Sequence, residues 1–117
     1  MTAVLATLVV VITAAINLGI AVADLVRAPF VLANSAEVGV PERWLPALAA
    51  LKAAGALGLV LGLLGVTWVG VAAATGLVLF YLGAIAAHIR ARVLHNLAFP
   101  ALFLGGAVAS FVVLLPP

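Results

Sequence analysis

Four apolar stretches, each near the ~20 residues that a membrane-spanning helix requires, make up most of this sequence and leave it few ways to fold. They run over about residues 3–26, 46–64, 68–89 and 97–115. Of 117 residues, 68% are hydrophobic and 7% charged, where a soluble domain carries charge on roughly a quarter of its positions. A chain this short makes one core and cannot hide that much apolar surface inside it, so the remainder must face lipid. The expectation is an all-α integral membrane protein, a four-transmembrane-helix bundle forming a single domain over residues 1–117. Apolar from Ala3 onward, with no positive n-region and too long for a signal h-region, the first stretch reads as a retained span.

The breaks set the topology. Gly65-Val66-Thr67 reads as a tight hairpin and Arg90 to Asn96 as a short basic turn, while the break over 27–43 is the long one. That loop mixes Pro29, Asn34, Ser35, Gly39 and Pro41 with Phe30, Val31 and Leu32, which suits an interfacial segment. Pro46 fits the first turn of the second span, where its missing N–H costs nothing. Arg27, Arg43, Arg90 and Arg92 all fall in breaks on one side of the membrane, with Lys52 nearest that side. The positive-inside rule makes this face cytoplasmic and puts both termini on the non-cytoplasmic side. A multi-pass protein of the cell inner (plasma) membrane is expected, with Trp44 and Trp68 anchoring opposite interfaces.

Several function classes drop out. Five basic against three acidic residues cannot build the basic stripe that nucleic acid requires. Without cysteine there is no disulfide, thiolate metal site or thiol redox chemistry, so any electrons belong to a bound cofactor, a quinone for instance, or to a partner. His88 and His95 lack metal-ligand spacing, and no metal is expected. Ser35 and Ser110 have no base nearby in sequence, which leaves hydrolase-type nucleophilic catalysis unsupported. Ala50, Ala54, Gly58 and Gly62 recur every four residues, a small-xxx-small stripe. Packing within the chain is the first reading of this stripe, and a homo-oligomer seam the second.

Polar groups inside hydrocarbon are costly, roughly 2.5–3.5 kcal/mol for a charge on insertion scales, and so mark function. Lys52 lies eight residues past Trp44, ~12 Å of helix, too deep for a headgroup residue. Asp24 is its natural counter-ion, and Asn17 stands two turns earlier on the same face. On the third span Tyr81 and His88 share a face, which Arg92 extends if the helix persists. An ordinary structural role is open to each: Lys52 snorkelling to the interface, Asp24 at a solvated helix end, His88 in an amphipathic belt. One pocket in the cytoplasmic half would unite Asn17, Asp24, Lys52, Tyr81 and His88. Lys52 is about 200° around the helix from the Ala50/Ala54 stripe but three residues before Gly55, so it is expected to point into a cavity, within reach of Asp24 or His88.

Gly39-Val40-Pro41, Trp44-Leu45-Pro46, Lys52-Ala53-Ala54-Gly55-Ala56, Gly83-Ala84 with His88, and Pro100 form a set of short motifs. In these, and from about Asp24 to Phe103, the chain resembles the DoxX-like family of small four-helix bacterial membrane proteins. What the resemblance implies is a four-helix fold. Association with redox enzymes is also implied, since the family takes its name from a subunit of a thiosulfate:quinone oxidoreductase.

Three functions compete. The favoured one is a binding module that holds a small lipophilic molecule, quinone- or isoprenoid-like, by its oxygen-bearing end, with Lys52, His88 and Tyr81 as donors and Asp24 balancing charge. An acid–base enzyme, an isomerase or cyclase acting on such a molecule through Asp24, Lys52 and His88, is the second. The third is a subunit recruiting a soluble redox partner to the basic face around Arg90 and Arg92. A proton-coupled transporter ranks last, because the polar residues gather near one face and not at the midplane.

Overall fold

The computed structural model describes residues 2–117. Five α-helices follow in order: α1 (Ala3–Leu25), α2 (Pro29–Val38), α3 (Leu45–Leu63), α4 (Thr67–Arg90) and α5 (Ala98–Leu114), with a 3-10 turn at Glu42–Trp44 before α3. The α1, α3 and α4 segments are long and apolar enough to cross a bilayer. At 17 residues, α5 is at the lower bound for a span, about 26 Å of rise.

Heptad-like burial explains the bundle. On α1 the buried positions include Val10, Ala14, Asn17, Ala21 and Asp24, and on α3 Leu45, Ala49, Lys52, Ala56 and Leu59. On α4 they include Gly70, Ala74, Leu77, Tyr81 and His88. Steps of three and four keep one seam facing inward along a helix of 3.6 residues per turn. In this arrangement α1 packs on α3 and α5, and α4 closes the ring against the same two helices.

Close backbone approach fixes the α3–α4 hairpin. A Cβ built at Gly62 would stand 2.7 Å from Gly70 Cα, one at Gly58 2.5 Å from Ala73 Cβ, and one at Gly55 2.6 Å from Leu77 Cδ2. The close-packed stripe is thus Gly55, Gly58 and Gly62, facing Gly70, Ala73 and Leu77. This corrects the four-residue stripe expected from sequence: Ala50 and Ala54 are exposed. A strict four-residue repeat drifts around an α-helix, because four residues turn 400° and not 360°. Between α1 and α5, Thr13 Oγ1 donates to Val9 O at 2.8 Å and to Gly106 O at 3.2 Å. A Cβ at Gly106 would meet that oxygen at 2.9 Å.

The long break over 27–43 is not a plain loop. Pro29 starts α2 at its first turn, where a fixed φ suits the helix, and Gly39 ends it in the left-handed region at φ 77°. The Val40 N–H donates to Ser35 O at 2.9 Å and the Gly39 N–H to Ala36 O at 3.3 Å, a Schellman closure. The same closure ends α1 at Arg27 (φ 52°) and α4 at Arg92 (φ 58°). Arg92 therefore does not continue the Tyr81/His88 face, because the helix has already turned back at Ala91. A cation at these C-termini favours the negative end of the helix dipole.

Candidate functional site

The charged side chains on the seam lie in the half of the bundle beneath α2, while the seam beyond it carries only the hydroxyls of Thr13 and Ser110 as buried polar groups among the described residues. Because Asn17, Asp24, Lys52, Tyr81 and His88 all fall on inward registers, the packing of the bundle places them inside it without any special local structure.

Lys52 Nζ donates to Asp24 Oδ2 at 2.6 Å, and the two side chains are only 10% and 4% exposed. The ammonium also lies 5.3 Å from the Phe80 ring centroid, within cation–π range. An unpaired ammonium at this depth would carry the full desolvation cost, and the carboxylate and aromatic face offset it. One of three N–H donors is thereby engaged, and the other two have no acceptor among the described residues. Deeper in the bundle the Tyr81 hydroxyl donates to Asn17 Oδ1, and Asn17 Nδ2 donates to Thr13 O at 2.8 Å. Phe80 and Phe103 pack on Tyr81 at centroid distances of 5.0 and 5.2 Å.

His88 turns toward α2. Its Nδ1 lies 2.8 Å from Ala84 O, and its Nε2 is 3.2 Å from Asn34 Oδ1. Asn96 Nδ2 donates to the same oxygen at 2.8 Å. Two exposed pairs tie down the ends of the α2 segment: Arg27–Glu42 at 3.0 Å and His95–Glu37 at 2.9 Å.

A cavity of about 340 Å³ lies under α2, toward the small end of the roughly 300–1,000 Å³ usual for small-molecule sites. Asp24, Lys52, Tyr81 and His88 line it. Asn17 is not on the wall; it lies behind it and accepts a hydrogen bond from Tyr81. Sequence reasoning missed Asn34 and Asn96, which also line the cavity, and the aromatic wall of Phe30, Phe80, Phe99 and Phe103. Asn34, in the long break, and Asn96, after the basic turn, were the available signal as amides in so apolar a chain. Among the described residues no cluster of His, Asp and Glu could hold a metal ion.

The sequence profile of the DoxX-like family matches residues 8–110. The chain belongs to the DoxX-like family. The match covers α2, α3 and α4 in full, most of α1 and α5, and every residue of the cavity wall, so the cavity lies wholly within the DoxX-like region. No curated protein and no solved structure matches the chain.

Proposed function

We propose that this DoxX-like protein holds a small lipophilic molecule with a hydrogen-bonding oxygen, quinone- or isoprenoid-like, in the cavity beneath α2. One observation carries the reading: a largely apolar, aromatic-walled cavity whose polar wall includes a net-neutral Lys52–Asp24 pair with N–H donors to spare. A free ion would find its charge already matched. A carbonyl or hydroxyl oxygen would instead accept from Lys52 without disturbing the pair, and the rings would cover its apolar body.

The setting we propose is four membrane crossings, with α5 as the fourth, in the cell inner membrane. The arginines at the α2 end then face the cytoplasm, with both termini opposite. The tight engagement of Asp24 favours binding over acid–base turnover, since a general base must be free to take a proton.

The test is mass spectrometry of protein extracted in native lipid, followed by binding of a short-chain benzoquinone. The reading predicts a co-purifying lipophile and saturable binding weakened about tenfold or more in Lys52→Met, the loss of one charge-assisted hydrogen bond. Protein that carries no lipophile and binds no quinone would remove its support.

A further inference from the structure

The cavity has a mouth, and its position follows from exposure. Of the residues on the cavity wall only Phe30 and Phe99 are exposed, at 56% and 63%. A side chain that both lines a cavity and lies mostly outside it stands at the rim. Phe30 is in the first turn of α2, just past the end of α1, and Phe99 is in the first turn of α5. Since α1 and α5 are neighbours in the ring, the mouth opens beside their seam. A rim of two phenylalanines suits an opening onto hydrocarbon, where apolar rings cost nothing to expose.

Farther along the same two helices there is a second recess, lined by Leu8 and Ile12 of α1 and Gly106 and Ala109 of α5. Gly106 and Ala109 have too little side chain to fill it. Its floor is apolar because the Thr13 hydroxyl is spent on Val9 O and Gly106 O. Mouth and recess share one face of each helix. On α5, Phe99, Leu102, Gly106 and Ala109 follow at steps of three and four. On α1, Ile12, Ile16 and Ile20 fall within about 80° of one another, and Ile20 lines the cavity. Between the two sites Ile16 and Leu102 are exposed and apolar, so the path crosses no polar side chain.

We propose that the cavity takes only the oxygen-bearing head of a lipid, and that the lipid's tail leaves past Phe30 and Phe99 and lies along the outer α1–α5 seam as far as the Ala109 recess. The proposal rests on the cavity binding a lipophilic oxygen compound and adds that this compound carries a long tail. A cavity of about 340 Å³ is at the small end for ligand sites, so a longer molecule must continue outside it. From Phe99 to Ala109 is about 15 Å of helix, and from Ile20 to Leu8 about 18 Å. At roughly 1.2 Å per bond of an extended chain, that is the reach of a farnesyl tail. A tail on this path never leaves the hydrocarbon, so the head can enter from the bilayer without the tail crossing water.

Photolabelling in nanodiscs tests the track. Two probes carry a benzoquinone head on a farnesyl-length chain, one with a diazirine beside the ring and the other with it at the far end. Labels displaced by excess unmodified farnesyl benzoquinone are mapped by tandem mass spectrometry. The head-end label is expected on Phe30, Tyr81 or Phe103, and the far-end label on Leu8, Ile12 or Ala109. Ala109→Phe fills the recess and should abolish the far-end label there. Gly76→Phe, on the exposed face of α4 with nothing within 4 Å of an added Cβ, should leave it in place. Displaceable far-end label on α2, α3 or α4 would overturn the track while the binding reading stands. No displaceable label from either probe would remove the binding reading and the track with it.

Discussion

Replacing Lys52 by Met keeps the length of the side chain and removes its charge, leaving the Asp24 carboxylate 4% exposed with no cation beside it. Removing one partner of a buried ion pair typically costs about 3–5 kcal/mol, most of it the desolvation of the survivor. Asp24→Leu should cost a similar amount by stranding the ammonium, which keeps only the face of Phe80. The double variant Lys52→Met/Asp24→Leu removes both charges, and apolar pairs of similar volume are often neutral or better in such places. It should therefore recover most of the loss, giving a coupling of at least about 3 kcal/mol. Reversible unfolding in mixed micelles, read by circular dichroism for all four proteins, measures this. Losses that simply add would show that the 2.6 Å contact is not an energetic unit, and would refute the reasoning that the pair is what permits a lysine at this depth.

Three further outcomes follow from the packing. Gly62→Ala should destabilise by about 1–3 kcal/mol, because its Cβ would meet Gly70 backbone at 2.7 Å; Gly76→Ala, with nothing within 4 Å, should be neutral or stabilising. Thermal unfolding of the two variants side by side checks the contrast. Arg92→Gly should stabilise by about 1 kcal/mol by removing a side chain from a φ of 58°, seen as a higher midpoint in the same assay. Tyr81→Phe should cost about 1–3 kcal/mol by stranding the buried Asn17 oxygen, and Tyr81→Phe/Asn17→Leu should return part of it.

Length and hydropathy made the helices legible, because in lipid every backbone polar group must be satisfied within its own segment and only the helix does that here. Lys52 could be placed relative to Gly55 from register alone. Which face of each helix turns inward was harder to read. These helices are apolar all round, so hydrophobic periodicity does not separate the lipid side from the core, and Ala50 and Ala54 were drawn into a stripe that they do not join. The α2 helix was legible in principle from Pro29 at its start and Gly39 just past its end. Its short length and mixed composition hid it, and with it Asn34. Asn96 could not be found without the fold, since its partner Asn34 is 62 residues away in sequence and meets it only when α2 folds over the turn between α4 and α5.

The central claim, a ligand cavity beneath α2, is tested most directly by filling it. Ala84 lines the cavity on α4, and Ala84→Leu adds bulk there without touching the Lys52–Asp24 pair. Binding of a short-chain benzoquinone is measured for wild type and Ala84→Leu in identical nanodiscs, so that partition into lipid is common to both. Saturable binding in the wild type that is lost in the filled variant, with unfolding behaviour unchanged, is the predicted result. Equal, non-saturating uptake in both would mean that the molecule merely dissolves in the bilayer, contradicting the account.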